Sequence, residues 1–288
     1  MASILSETRQ LLHAHGLRPR KRLGQSFLVD RAILRKILDG GKVQPDDRVL
    51  EIGAGVGTLT RALAEHCRRV IAVEIDPGLF QILEEAFHDT PQVTLVRGDA
   101  LLLDFGLLVD REGPWKVIAN LPYSVATPLM TRLLQASPRF SLLLLMMQAE
   151  VAERLMAPPG GKAYGSLTVL AQYHADVRRV ARVSRAAFYP RPRVDSMLVR
   201  LEVLPVPRVA PRDPALFFDL VRAAFGHRRK TLKNALVEWG KIPLGREDLQ
   251  AILTRAGIDP RRRGETLTLT EFQVLADEIR SALQGVAA

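Results

Sequence analysis

From residue 31 to about 200, short β-rich apolar runs alternate with stretches of helical periodicity, and near the end of that span the alternation breaks. Strand-like runs fall at 48–52, 70–74, 94–97, 115–119 and 142–147, and helical patterns fall at 59–66, 78–87, 127–135 and 149–156. Parallel neighbours need a crossover of a dozen or more residues, so this alternation predicts a parallel sheet with helices on both faces. The runs at 177–183 and 196–203 differ, because only a Pro-rich turn lies between them and no crossover helix fits there. They predict an antiparallel pair closing an α/β, Rossmann-like sheet. Leu204-Pro205-Val206-Pro207 reads as a linker. Beyond it, apolar positions recur with helical period over 216–225, 231–239, 246–256 and 270–283, predicting a small all-helical domain over 208–288. Residues 1–30 read as a basic arm, with Arg18, Arg20, Lys21 and Arg22 clustered.

A chain of 288 residues is long enough for two such domains. Its net charge of +10 favours a polyanionic partner, nucleic acid first and an acidic membrane surface second. The single cysteine, Cys67, excludes an internal disulfide framework and a cysteine-based zinc site, and no metal is expected. The longest apolar run, 142–147, is far too short to span a bilayer, and the N-terminus lacks an apolar core of signal-peptide length. A cytoplasmic protein is expected.

The polar residues that carry chemistry stand where the predicted strands end. Glu51-Ile52-Gly53-Ala54-Gly55-Val56-Gly57 follows the first strand of the sheet and opens a helix. Its glycines permit a tight turn and a close backbone approach to a ligand. The G-x-G-x-G spacing departs from the G-x-G-x-x-G of dinucleotide sites. The acid two positions ahead suits a ligand with positive charge, such as the aminoacyl and sulfonium portions of S-adenosylmethionine, better than a pyrophosphate. A plain strand–helix turn is the bland alternative. Glu74 ends the next strand, where a carboxylate can accept both ribose hydroxyls of an adenosine-containing cofactor. Asp76 ahead of Pro77 reads as a helix cap. Asp99 follows the third strand; it can take an adenine amine while the Ala100 amide donates to a ring nitrogen, or it can simply form an Asx turn. Asn120-Leu121-Pro122-Tyr123 closes the fourth. Asn-x-Pro-aromatic suits methylation of a base's exocyclic amine. The Asn120 carbonyl and a backbone carbonyl beside Pro122 would accept the amine's protons, and Tyr123 would stack on the flipped base. Read blandly, it is a strand end before a proline turn. Glu51, Glu74, Asp99 and Asn120 thus all fall at carboxyl ends of successive strands, the edge at which open α/β sheets bind ligands.

With these segments in place the chain resembles the KsgA-type ribosomal RNA adenine dimethyltransferases, close relatives of the macrolide-resistance rRNA methylases. The resemblance covers nearly the whole chain. It rests on 23–28 (Leu-Gly-Gln-Ser-Phe-Leu), the 51–57 loop, Glu74, Asp99-Ala100, Asn120–Tyr123, Lys162-Ala163-Tyr164-Gly165, 188–196 and 225–234. It implies a class I methyltransferase domain over 31–204, S-adenosylmethionine as methyl donor (S-adenosylhomocysteine as product), and a helical RNA- or ribosome-binding domain. The implied substrate is a pair of adjacent adenosines, each N6-dimethylated, in the 3′-terminal hairpin of 16S rRNA in the 30S subunit or its precursor. Cofactor contacts carry over to Ser26, Leu28, Gly53, Glu74, Asp99 and Asn120, beside the Glu51, Gly55 and Ala100 read from the loop patterns. Phe188 would face Tyr123 across the target adenine; read without the resemblance, it is a core residue at a strand end. Position 26 is usually Asn in the family and is Ser here, which shortens the side chain's reach. Candidate RNA contacts are Arg20, Lys21 and Arg22, and then Arg228, Arg229, Lys230 and Lys233, the latter expected on one helix face; a solvated charged face is the bland reading of both. Arg261-Arg262-Arg263 can equally cap helix ends. Alternatives are a macrolide-resistance methylase of 23S rRNA and a ribosome-assembly factor without catalysis. A monomer is expected.

Overall fold

A computed structural model describes residues 3–110, 113–121, 125–136, 139–227 and 229–286. Nine strands occur among them: β1 (Phe27–Leu28), β2 (Arg48–Ile52), β3 (Arg69–Glu74), β4 (Val93–Arg97), β5 (Trp115–Asn120), β6 (Phe140–Gln148), β7 (Ala175–Val183), β8 (Phe188–Tyr189) and β9 (Ser196–Val203). Seven form one sheet in the order β4-β3-β2-β5-β6-β9-β7. The ladders from β4 through β6 are parallel, and β9 runs antiparallel to β6, pairing Leu145 with Val199. β7 takes the edge beside β9. The parallel strands are continuous apolar runs because both faces are covered: β2 is buried from Val49 to Ile52, and β3 from Val70 to Glu74. From β2 the chain steps outward to β3 and β4, then returns to the other side of β2 for β5 and β6. That reversal makes the carboxyl ends of β2 and β5 the topological switch point of the sheet.

Helix boundaries follow local chemistry. Asp30, Asp76, Asp104 and Asp213 each cap the helix that follows with a side-chain oxygen, and Pro77 and Pro214 stand at first helical positions, where no N–H is needed. The chain divides into two compact units, Met1–Ala152 with Asp176–Pro205, and Glu153–Ala175 with Val206–Ala288. This corrects the expectation of an uninterrupted sheet domain over 31–204. Residues 153–175, with the helix Ser166–His174, belong to the helical unit: Tyr173 packs on Phe217 at 5.4 Å, and the buried Tyr164 hydroxyl donates to the Leu267 carbonyl at 2.9 Å. The aromatic and aliphatic core of that unit includes Phe217, Leu236, Leu253, Phe272 and Ile279.

The expected basic arm also needs correction. Its first part is a helix, Ile4–Ala14, that buries Ile4, Thr8 and Leu12, and its last part is β1, which pairs antiparallel with β8 in a separate two-stranded sheet. Leu12 and Phe27 pack with Val56, Leu79 and Ile82, so residues 4–30 are folded onto the sheet unit.

Candidate active site

The loop after β2 needs its glycines. Gly53, Gly55 and Gly57 have φ of 82°, 62° and 84°, a region that side-chain-bearing residues rarely enter. A Cβ on Gly57 would also lie 2.7 Å from the Phe87 ring. Beneath this loop sits Glu51, 1% exposed, whose Oε2 has no hydrogen-bond partner. Burial first, and the neighbouring Glu74 to a lesser degree, push its carboxyl from the ordinary 4.5 up to about 8. The Thr60 hydroxyl tempers the shift without meeting hydrogen-bond geometry; its own Oγ1 is buried and unpartnered. At neutral pH Glu51 is therefore held largely as the acid.

Glu74 is the organiser of this corner. Its Oε2 accepts from the Gly55 amide at 2.8 Å, and its Oε1 accepts from Ile75 at 3.0 Å and from Asp76 at 2.9 Å. Burial raises its carboxyl, while these three donors pull the other way. Asp76 is the helix cap that the sequence predicts, its Oδ1 accepting from Gly78 and Leu79. Its Oδ2 has a second use, holding the Arg20 guanidinium at 3.0 Å and the Gln25 amide at 3.0 Å.

A cavity of about 830 Å³ opens at the switch point. Of the residues singled out in the sequence, Ser26, Leu28, Glu51, Gly53, Gly55, Glu74, Asn120, Leu121 and Phe188 line it. Asn120 ends β5, and its Nδ2 donates to the Ser26 carbonyl at 3.1 Å. The Ser26 hydroxyl donates in turn to the Pro190 carbonyl at 2.7 Å. The β1–β8 pair is thus tied to the sheet edge through Asn120, and it lines the same cavity as the glycine loop, with the Phe27 ring close against Gly55. Phe188, 4% exposed, is both a member of the core and a lining residue of the cavity. Asp99 and Ala100 stand at the same sheet edge but do not line the cavity. The Asp99 carboxylate accepts from the Leu101 amide at 2.9 Å, the Asx-type turn, and the Ala100 carbonyl accepts from Arg132 at 3.4 Å. Pro122 and Tyr123 lie outside the described residues. Arg191 and Arg193 line the cavity too. They fall within the 188–196 segment but not among the candidate contacts, because a turn has no periodicity that points them anywhere.

Several of the basic residues have local partners. Arg20 is held by Asp76, and Arg22 is exposed; nothing is described of the Lys21 side chain. Arg228 lies outside the described residues. Arg229 and Lys230 occupy the turn before the helix Leu232–Trp239, which corrects the expectation that they share one helix face with Lys233. Lys230 pairs with Glu238, and Lys233 donates to Gln250 at 2.7 Å. Arg262 pairs with Glu271 and donates to the Thr266 carbonyl, the end-capping use.

A mostly parallel seven-stranded sheet, with an antiparallel closure at one edge and a glycine loop and strand-end acids at its switch point, is the class I methyltransferase arrangement. The chain matches the family model for ribosomal RNA adenine dimethylase over residues 16–280. It is 44% identical over 272 residues to the ribosomal RNA small subunit methyltransferase A of Clostridium acetobutylicum, covering 94% of this chain and 98% of that one. Among solved structures it resembles a dimethyladenosine transferase from Plasmodium falciparum, with a TM-score of 0.72, 26% identity, and coverage of 86% of this chain and 95% of that one. It also resembles the 23S rRNA methyltransferase ErmE, with a TM-score of 0.65, 26% identity, and coverage of 88% and 99%. The chain belongs to the ribosomal RNA adenine dimethylase family.

Proposed function

We propose that this protein transfers methyl groups from S-adenosylmethionine to the N6 amines of two adjacent adenosines in the 3′-terminal hairpin of 16S rRNA, acting as a cytoplasmic monomer on the small subunit or its precursor. The observation that carries the reading is the meeting of Glu51, Glu74, Asn120 and Phe188 around one cavity at the switch point. The residues fit the cofactor. Glu51 offers a buried carboxyl oxygen without a partner; the ammonium end would be accepted there, its charge favouring release of the proton that burial holds on the carboxyl. The Glu74 carboxylate, fixed by three amides, is placed to accept ribose hydroxyls. The glycine loop lets a ligand approach the backbone. When bound, the cofactor supplies a methyl group already activated by the sulfonium. Asp99 and Ala100, which follow β4 at the same sheet edge, complete the reading as adenine contacts.

The chain's own work is positioning and polarisation. The Asn120 amide is anchored through Nδ2, which leaves Oδ1 as the acceptor for a proton of the target amine. That hydrogen bond, with a second from the backbone at Leu121-Pro122, holds electron density on a nitrogen otherwise delocalised into the ring. Phe188 supplies one stacking face and Tyr123 the other; each contact is worth roughly 1–3 kcal/mol against the cost of flipping the base. The amine's proton leaves to solvent after transfer.

Incubation with labelled S-adenosylmethionine and undermethylated small and large ribosomal subunits, followed by mass mapping, tests the reading. Dimethyladenosine near the 3′ end of small-subunit RNA is expected. Label in large-subunit RNA would instead make the protein a resistance-type methylase. No label on either, with cofactor bound, would leave a binding factor.

A further inference from the structure

Four of the eleven cations singled out by sequence are held in ion pairs within the protein: Arg20 with Asp76, Lys230 with Glu238, Arg261 with Asp259 and Arg262 with Glu271. A second run, of arginines outside those groups, is engaged only in part. Residues 176–195 carry six arginines (178, 179, 182, 185, 191 and 193) against two acids, Asp176 and Asp195, a net +4 within a chain of +10. All six arginines are exposed. Arg178, Arg179 and Arg182 lie on β7, the edge strand, and Arg191 and Arg193 line the cavity beside Phe188. Arg182 leans on Asp195 at 3.5 Å, and Arg185 donates to the Arg193 carbonyl at 3.4 Å, so these two shape the turn. Glu202 feels the field of Arg178, but its carboxylate is already held by Lys42 at 2.7 Å and Arg200 at 3.1 Å. Arg179, Arg191 and Arg193 form no ion pair among the described residues.

We propose that this run is a phosphate track: β7 and the turn after β8 hold the sugar–phosphate backbone of the RNA strand that delivers the target base into the cavity. The inference rests on the proposed RNA substrate. Guanidinium groups match phosphate oxygens with two parallel hydrogen bonds and need less dehydration than ammonium groups. On a strand, Arg178 and Arg182 share one face and are set about 13 Å apart along the chain, enough to meet two separate phosphates of one RNA strand. Charges also guard a bare sheet edge against pairing with another chain. That purpose accounts for Arg178 and Arg179 but not for Arg191 and Arg193, which are off the edge strand and at the cavity. An acidic membrane is a plane, whereas this track ends in a concave site containing Asn120 and Phe188, which fits a strand with a projecting base.

The test uses full-length Arg178→Gln/Arg179→Gln and, separately, Arg191→Gln/Arg193→Gln; Arg182 is left in place because it holds Asp195. Binding to undermethylated small subunits is followed across about 50 to 200 mM salt, with cofactor affinity measured in parallel. Arg191→Gln/Arg193→Gln should lower the steepness of log K against log salt by about 1.5, as expected for two lost phosphate contacts, and Arg178→Gln/Arg179→Gln by about 0.7, because consecutive strand residues face opposite ways and only one of them meets the track; each pair should raise KM for subunits several-fold. Arg178→Gln/Arg179→Gln should keep wild-type cofactor affinity. Wild-type slopes in a folded pair, or a loss confined to binding of phosphatidylserine vesicles, would overturn the track; should one pair fail to fold, the other decides. Wild-type protein that methylates no subunit overturns the functional reading, whereas normal methylation with unchanged slopes overturns only this inference.

Discussion

The carboxyl edge of the sheet and the helical unit treat their buried polar groups in opposite ways. At the sheet edge, Glu51 Oε2 and Thr60 Oγ1 are buried and unpartnered. In the helical unit, buried or half-buried polar groups close on one another. Tyr164 reaches Leu267, Thr168 holds the Arg154 carbonyl at 2.5 Å, and Arg262 and Thr268 share the Glu271 carboxylate. Among the described residues, buried side-chain polar atoms without a partner occur only in the sheet unit. Unmatched polar groups cost stability, and a protein retains them where a ligand completes them. Two of the four such atoms, on Arg139 and Arg200, lie away from the cavity, so it is the position of Glu51 in the cavity lining that sets the sheet edge apart from the helical unit, whose interior serves packing.

Variants can break this comparison. The largest effect is expected from Asn120→Ala, which should lower methyl transfer to undermethylated small subunits by at least about 100-fold while calorimetry finds a far smaller loss of cofactor affinity. Near-normal turnover would remove the amine-polarising role.

Glu51→Gln sharpens the contrast through pH. With the folded carboxyl at about 8 and the ordinary value at 4.5, the folded state keeps a proton that the unfolded chain releases between those values. The stabilising contribution of that proton is full below pH 4.5 and lost as pH rises past 8. Denaturant titrations should therefore show wild-type stability falling across this window relative to Glu51→Gln, by an amount on the order of a few kcal/mol at its top. Parallel curves would mean that Glu51 is ionised in the free protein.

Gly57→Ala should be smaller. It forces a side chain into a φ of 84° and against Phe87, and a loss of roughly 2 kcal/mol in thermal unfolding is expected. The smallest effect belongs to the helical unit: Tyr164→Phe removes one hydrogen bond to Leu267 and should cost about 1 kcal/mol, leaving cofactor affinity unchanged. A large drop in cofactor affinity would show that the two regions are not separable.

Legibility in the sequence tracked periodicity. The central strands came out within two residues of their observed ends, because apolar runs buried on both faces have no other use. The two-residue strands β1 and β8 were invisible, since two residues carry no period. The Ser166–His174 helix lies between strands and reads as part of the sheet domain; only the packing of Tyr173 on Phe217 assigns it elsewhere. The site shows the same limit. Glu74 and Asn120 were marked by position, whereas the engagement of Arg20 by Asp76, 56 residues away in the chain, follows from no local pattern.

The sequence by itself determined the sheet, its glycine turn, its strand-end acids and the basic character of the molecule, because spacing and residue type act over a few neighbours. Tertiary structure decided which of those groups share a cavity, which cations stay available to a polyanion, and which unit the 153–175 segment joins. Those outcomes depend on contacts between distant segments, which short-range order along the chain does not encode.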